Sequence, residues 1–541
     1  MVFTTDSHAA FQSKRFLIID DFLGMRSMLR EMLKSCGAKD IDAASNGNEA
    51  INMLEKGKYD VVLCDYTLGA GKNGQQVLEE AKFRNLIGLA TAWVVISAEK
   101  TTDMVLGAAE YTPDDYIVKP VNEATVRARL LKVMARKAAL HDIEKAVKAN
   151  DFKRAIALCD EQLVARSSYT SDLLRMKTNL LMKSGQHDKA KAVFEQILAQ
   201  RDIPWAKSGL AKIYYLNKDY DTARRMLSEV IEANRTFLEG YDLLAKTLEE
   251  LNELNEAQHV LSRCAEISPN SMTRQRSLGE IAQKRGDLDV AERAFRKTIS
   301  LGENSILKTP SAYLGLAKVC SEKNNTAEAI RVLGEVHKNF DDTEATLHAK
   351  VIEGAVQSKS GNLVEARKLA GEVAALVKES AARLPAHITL EAADLIMGTG
   401  NKEVASELLK AVVQNNHEDA ALIEQVKGVF AKGNMQEAGN DLVESSLKEV
   451  VQTNNQGVAL AKEGKLDEAV ALMRNAKAMM PNNKRILLNL AYAMILAMKK
   501  GGRDPGMERE ARECLDRVNK LDPGEKLYGE YRAMLESLPV V

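Results

Sequence analysis

The chain lacks most of what would tie it to a membrane, an oxidising compartment or a polyanion. No run of about 18 apolar residues occurs, so no membrane span is expected. The opening segment MVFTTDSHAAFQSKR has no apolar core of the kind a secretory signal carries. The six cysteines (Cys36, Cys64, Cys159, Cys264, Cys320 and Cys514) are far apart with no CxxC pair. They read as small buried apolar residues in a reducing compartment. Net charge is almost absent: 75 basic and 76 acidic residues leave a formal −1. That balance disfavours a protein built to coat nucleic acid or an anionic membrane. Aromatic residues make up only 5%, while Ala, Leu, Lys and Glu abound, a composition that favours helix. Together these absences lead to the expectation of a cytoplasmic protein. Its 541 residues exceed the usual single domain, so several domains or a repeat array are expected.

The first 135 or so residues alternate between strand and helix. FLIID, DIDAAS, VVLCD, AWVVISA and DYIVK read as strands, with GMRSMLREMLKSCG, NEAINMLEKG, GQQVLEEAK and a segment near Thr102–Glu110 as helices between them. VVLC carries no polar alternation, as expected of a strand covered on both faces. Five βα units predict an α/β doubly wound, five-stranded parallel sheet. Such sheets bind ligands just beyond the carboxyl ends of their strands.

Those ends carry chemistry. The first strand ends in Asp20-Asp21, the third in Asp65, the fourth in Ser97 and the fifth in Lys119-Pro120. Three carboxylates in one cleft repel, and each tends to take up a proton. A hard divalent cation removes that conflict, and Mg²⁺ suits few carboxylates, several waters and a phosphate. Lys119 and Ser97 can then hold the remaining phosphoryl oxygens. Asp65 is the expected nucleophile, since an aspartate carboxylate can form an aspartyl phosphate.

On Asp20-Asp21, Asp65, Ser97-Ala98 and the segment Tyr116-Ile-Val-Lys119-Pro120, the chain resembles the receiver domain of two-component response regulators over residues 14–135, after a tail at 1–13. The resemblance implies that Asp65 is the phosphoacceptor, loaded by a sensor histidine kinase or phosphotransfer protein. It implies Mg²⁺ held by Asp21, Asp65 and the backbone carbonyl of Thr67, with Asp20 acting through water. Ser97 and Tyr116 would be the switch pair, and Thr67 and Glu99 would tune hydrolysis of the phosphate. The loop Thr67-Leu-Gly-Ala-Gly-Lys-Asn-Gly74 departs from the family pattern: it lacks the usual proline and is one residue longer. A receiver that folds without being phosphorylated is the alternative. The switching face is one through which the family often dimerises, so a homodimer through the receiver stays open.

Residues 136–541 are a different object. SGQHDKAKAVFEQIL, NKDYDTARRMLSEVI, LNELNEAQHVLSRCA, RGDLDVAERAFRKTI and EGKLDEAVALMRNAK share a turn, an alanine, and apolar residues at helical spacing. Marker alanines at Ala155, Ala190, Ala223, Ala257 and Ala291 are 35, 33, 34 and 34 apart, the period of the tetratricopeptide repeat. Less regular units center on Ala329, Ala366, Ala405, Ala438, Ala469 and Ala511, about eleven in all. The segment resembles an all-α tetratricopeptide superhelical solenoid, whose first helices line a groove for a protein partner. Aligning the units puts Trp205, Lys212, Tyr215, Asp242, Lys246, Arg276 and Glu280 on the groove side. Whether these form a contact hot spot or are ordinary solvated residues is left open, as is the identity of the partner.

Between Val121 and Gly185 there is neither Gly nor Pro. The last receiver helix is therefore expected to run into the first repeat near Leu140–Asn150, or to abut it without a flexible linker. The function favoured by the sequence is a phosphorylation-controlled adaptor. A constitutive scaffold, with the receiver as docking module or phosphate sink, is the alternative. Nucleic-acid binding is disfavoured by the neutral charge. No catalysis is expected beyond the receiver's own phosphorylation and dephosphorylation, because the seven histidines from His141 to His417 are scattered rather than paired as ligands.

Overall fold

The computed structural model describes residues 10–88, 90–98, 113–165, 168–378 and 384–538. The chain divides into two compact units, Met1–Ala312 and Tyr313–Val541.

The first unit opens with strands β1 (Arg15–Ile19), β2 (Asp40–Ala44), β3 (Val61–Asp65), β4 (Ala92–Ser97) and β5 (Asp115–Val118). They form one sheet in the order β2-β1-β3-β4-β5, with every pair parallel. β3 and β4 are buried along their whole length, which explains their continuous apolar sequence. Helices α1 (Leu23–Ser35), α2 (Gly47–Lys56) and α3 (Gly74–Phe83) connect strands, and α4 (Glu123–Lys148) follows β5. Alternate residues of each strand feed two cores. Phe16, Ile18, Leu63 and Val94 pack with Leu29 and Leu33 of α1 and Val126 and Leu130 of α4. Leu17, Ile19, Val62 and Trp93 pack with Leu54 of α2 and Val77 and Leu78 of α3. Phe11, within the stretch read as a tail, is fully buried and stacks on Phe16 at 5.7 Å. Burying an aromatic of this size holds Phe11 against the sheet. The helix expected near Thr102–Glu110 lies outside the described residues.

α4 is a single helix of 26 residues that crosses from receiver to repeats. Helix hairpins follow: α5 (Phe152–Val164), α6 (Thr170–Lys183), α7 (His187–Gln200), α8 (Pro204–Leu216), α9 (Tyr220–Ala233), α10 (Leu238–Glu250), α11 (Leu254–Ile267), α12 (Met272–Arg285) and α13 (Leu288–Leu301). α14 (Pro310–Glu322) starts at the division between the units. The second unit continues with α15 (Thr326–Asn339), α16 (Thr343–Lys359), α17 (Leu363–Lys378), α18 (Ala386–Gly398), α19 (Lys402–Asn415), α20 (Ala420–Lys432), α21 (Gln436–Lys462), α22 (Leu466–Met479), α23 (Lys484–Gly501), α24 (Pro505–Leu521) and α25 (Lys526–Glu536).

One backbone feature sets the register of the repeats. Asn150, Gly185, Lys218, Asn252, Gly286, Asn324, Gly361, Gly400, Asn434 and Gly464 all take left-handed φ angles, between 53° and 107°. Five positions after each stands a small buried residue: Ala155, Ala190, Ala223, Ala257, Ala291, Ala329, Ala366, Ala405, Gly439 and Ala469. The left-handed residue ends one helix and aims the next. The fifth residue then lands at the crossing, where only a small side chain fits. This corrects one marker. Ala438 is exposed, and Gly439 occupies the crossing, where a Cβ would lie 2.5 Å from the Phe430 side chain. The turn residue, not the alanine, fixes the count. The irregular spacing here also has a cause: α21 runs 27 residues without a break. Its first part packs on Phe430 of α20 and its later part, at Gly457, on Met473 of α22.

Candidate functional site

β1 and β3 end side by side, which brings their terminal acids together. One carboxylate oxygen from each of Asp20, Asp21 and Asp65 lies within 4.8 Å of the others. Asp20 and Asp65 are buried and Asp21 is exposed. Lys119, leaving β5, donates to Asp65 Oδ2 at 2.7 Å and to Asp20 Oδ2 at 3.0 Å. Burial pushes the Asp65 carboxyl upward, and the Lys119 hydrogen bond only partly offsets this. For Lys119 the balance falls the other way. Burial disfavours its charge, but the bonds to Asp65 and Asp20 outweigh that and raise its pKa. A pocket that strains its own carboxylates and holds them with one cation is suited to a divalent metal and a phosphoryl group. The three-carboxylate donor set fits Mg²⁺.

The remaining expected residues fall as follows. Ser97 is buried at the carboxyl end of β4, and its carbonyl accepts from the Lys119 amide at 2.7 Å. Tyr116, on β5 opposite Val95, packs half-buried against the Trp93 core. Thr67 is exposed, with its amide 3.4 Å from Asp65 Oδ1. Glu99 lies outside the described residues. Two contributors escaped sequence reasoning. Arg26 of α1 donates to the carbonyls of Asp20 at 2.7 Å and Asp21 at 3.0 Å, which fixes the acid pair. Nothing in an amphipathic pattern distinguishes it from a solvated arginine. Gly74 begins α3 so close to β3 that a Cβ there would lie 1.9 Å from the Asp65 carbonyl oxygen. Its position at a strand-to-helix turn was the available signal.

The loop from Thr67 to Gly74 leads from the acid pocket into α3. Gly69 and Gly71 take φ of +67° and +96°, which side chains rarely adopt. α3 is buried on more than its sheet-facing side, with Gln76, Glu79 and Glu80 buried as well as Val77, Leu78 and Ala81. Glu80 is held by Lys72 at 3.1 Å and Arg84 at 3.0 Å. Gln76 meets the last residue of α13, Leu301, and Glu79 meets Ser305 in the segment that follows.

In the repeats of the first unit, Trp205, Lys212, Asp242 and Lys246 line a cavity of ≈ 420 Å³ together with Arg175 and Phe194. Asp242, Lys246, Arg276 and Glu280 line a neighbouring one of ≈ 430 Å³. Trp205 stacks edge-on against Phe194 at 6.2 Å. Asp242 is engaged by the buried Arg274 through two bonds of 3.0 Å. Burial raises the Glu280 carboxyl, partly countered by Arg276. Tyr215 is placed differently: its ring packs on Tyr220 at 5.5 Å and its hydroxyl lies 3.5 Å from Glu250.

A family model described as the response regulator receiver domain matches residues 16–131. Two described as tetratricopeptide repeats match residues 181–247 and 238–271. Chemotaxis protein CheY-3 of Vibrio cholerae serotype O1 is 30% identical over 125 residues, covering 23% of this chain and 95% of that one. Among solved structures, Vibrio cholerae chemotaxis protein CheY4 is 20% identical, covering 22% of this chain and 98% of that chain with a TM-score of 0.21. The C-terminal part of a TPR repeat-containing protein from Cytophaga hutchinsonii is 14% identical, covering 46% and 98% with a TM-score of 0.34. The chain belongs to the response regulator receiver family through its N-terminal domain, and that domain is joined to tetratricopeptide repeats. Phosphorylation-regulated signalling comes with the first part and protein interaction with the second. No helix among the described residues is long and apolar enough to cross a membrane.

Proposed function

We propose that this chain is a phosphorylation-controlled adaptor of a two-component pathway in the cytoplasm, with a receiver at residues 14–135 and a solenoid of about eleven repeats at 136–541. The observation that carries the reading is the pocket itself: three carboxylates within 4.8 Å, two of them bridged by Lys119. The phosphoryl donor is a phosphohistidine on a sensor kinase or phosphotransfer protein. An oxygen of Asp65 attacks the phosphorus, the P–N bond breaks, and the imidazole leaves with the electron pair and takes a proton. Asp20, Asp21, Asp65 and the backbone carbonyl of Thr67 would hold Mg²⁺, which neutralises charge on the phosphoryl oxygens. Arg26 keeps the two acids after β1 in place through their carbonyls. Lys119 stands where it can exchange its bond to Asp65 for one to a phosphoryl oxygen. Ser97 and Tyr116 form the switch pair, and Thr67 and Glu99 set the lifetime of the phosphate.

The output is a protein partner bound in the repeat groove around Trp205, Lys212, Lys246, Arg276 and Glu280. Asp242, held by Arg274, and Tyr215, beside Tyr220 and Glu250, belong to the same proposed groove. A second reading, with the receiver as a fixed docking module, draws on the bonds between residues 71–79 and 301–305. Affinity capture with purified protein in Mg²⁺, with and without beryllofluoride, separates the two. The adaptor reading expects bound proteins that change with beryllofluoride in the wild type, not in Asp65→Asn, and are lost in Trp205→Ala. Identical partners in every lane support the fixed module instead.

A further inference from the structure

The receiver is joined to the repeats by more than chain continuity. Gln76 Nε2 of α3 donates to the Leu301 carbonyl at 3.1 Å, and Ser305 Oγ donates to Glu79 Oε2 at 2.9 Å. Asn304 Nδ2 donates to the Gly71 carbonyl at 3.3 Å. Tyr66, Gln75, Asn270 and Met272 close a cavity of ≈ 200 Å³ beside these bonds. One five-residue turn of the repeats thus grips both α3 and the loop that leaves the acid pocket. That loop is already committed at its two ends. The Thr67 amide approaches Asp65, and Gly74 donates to the Tyr66 carbonyl at 2.8 Å while packing on the Asp65 carbonyl. Near its middle, a Cβ on Gly69 would stand 3.3 Å from Asp21 Oδ2.

The shared helix α4 touches the receiver elsewhere. Arg136 and Lys137 pair with Asp114 at 2.8 and 3.0 Å, at the amino end of β5. Asp114 also accepts from the Trp93 amide near the start of β4. These contacts lie at the opposite end of the strands from Asp65. α4 is placed to tether the receiver, whereas the turn after α13 is placed to sense its loop.

We propose that residues 301–305 are the readout surface of the receiver: they clasp the loop 67–74 while Asp65 is unloaded, and loading Asp65 loosens the clasp. The inference rests on the phosphorylation reading above. Its physical basis is competition for one short segment. A loaded Asp65 draws the Thr67 end of the loop toward the acid pocket, while Asn304 holds Gly71 toward the repeats. Each state is favoured at the expense of the other, and the coupling is reciprocal. The two left-handed glycines give the loop the freedom to change course.

Hydrogen exchange of the full chain tests this with beryllofluoride and Mg²⁺ as the loading probe, and fluorine NMR reports bound beryllofluoride independently. Loading is expected to speed exchange at 66–83 and 296–310 together, by about fivefold for each hydrogen bond released. Asn304→Ala with Ser305→Ala removes two of the three bonds and leaves every receiver residue intact. Unloaded, this variant is expected to exchange already at a raised rate, about 25-fold above wild type for the two bonds lost, and still to bind beryllofluoride. Glu79→Gln provides a second, milder weakening from the receiver side. If beryllofluoride binds and 296–310 is unchanged or slower, the inference fails while the phosphorylation reading stands. A response confined to 122–150 overturns it in favour of the helix. Failure to bind beryllofluoride overturns the phosphorylation reading and this inference with it.

Discussion

Gly74 is where a single methyl group should do the most damage. A Cβ at this position would lie 1.9 Å from the Asp65 carbonyl oxygen and 2.9 Å from Cys64 Sγ. The nearest atom is backbone within the central sheet, so the first turn of α3 must move instead. Moving it stretches the 2.8 Å bond from the Gly74 amide to the Tyr66 carbonyl. Overpacking of about 2 kcal/mol and a lost hydrogen bond of about 1 kcal/mol sum to ~3 kcal/mol for Gly74→Ala. That corresponds to roughly 150-fold faster opening, readable as amide exchange along β3. Gly457→Ala is the control. There the added methyl meets the flexible Met473 side chain, most closely at its terminal methyl, which can change rotamer, and mid-helix alanine recovers about 1 kcal/mol over glycine. Its net effect is expected within about 1 kcal/mol of zero. Exchange along β3 within about threefold of wild type in Gly74→Ala would refute the close-approach argument, because ~3 kcal/mol cannot be hidden in that range.

Three further outcomes are expected. Arg274 is nearly enclosed while its partner Asp242 is 43% exposed, so removing the two partners should have unequal costs. Asp242→Ala takes the carboxylate from a buried cation that keeps its bond to the Ser268 carbonyl at 3.4 Å, and should cost more than Arg274→Met, by thermal unfolding of the first unit; equal losses would contradict this. In the second unit, burial works against the Glu391 charge, but bonds from His348 at 3.1 Å and Lys318 at 2.6 Å outweigh it and hold the pKa at about 2. A folded pKa below the ordinary 4.5 stabilises the fold above 4.5, and that stability is lost as pH falls from there to about 2. The unfolding temperature of wild type should drop more steeply across that range than that of Glu391→Gln, and parallel curves would exclude the effect. Lys218 takes φ of +63° at a repeat turn where its counterparts are Gly or Asn. Lys218→Asn should therefore stabilise the first unit by about 0.5–1 kcal/mol, and a lowered unfolding temperature would argue against it.

Much of this was legible in the sequence, for identifiable reasons. Strands buried on both faces show unbroken apolar runs, so VVLCD and AWVVIS stand out without any structure. Asp20, Asp21, Asp65 and Lys119 were legible because parallel strands deliver their ends to one edge, and the structure brings all four together. Repeat period survives in sequence because every hairpin needs a small residue at its crossing. The misplacement at Ala438 shows the limit of that signal: the left-handed Asn434, not the alanine, decides which residue reaches Phe430. The clasp was invisible for a different reason. Gln76 and Glu79 look like the solvated side of an amphipathic helix, until Leu301 and Ser305, 225 and 226 positions away, arrive to bond them. Phe11 likewise counts as tail until the sheet it covers exists.

The most direct test is transfer of a phosphoryl group to the full chain from acetyl phosphate or a phosphohistidine donor, located by mass spectrometry of rapidly quenched protein. One phosphoryl group on Asp65 is expected, formed in Mg²⁺, abolished by chelation and absent from Asp65→Asn. Protein that stays unlabelled in Mg²⁺, or that carries the label on another residue with Asp65 intact, would contradict the account.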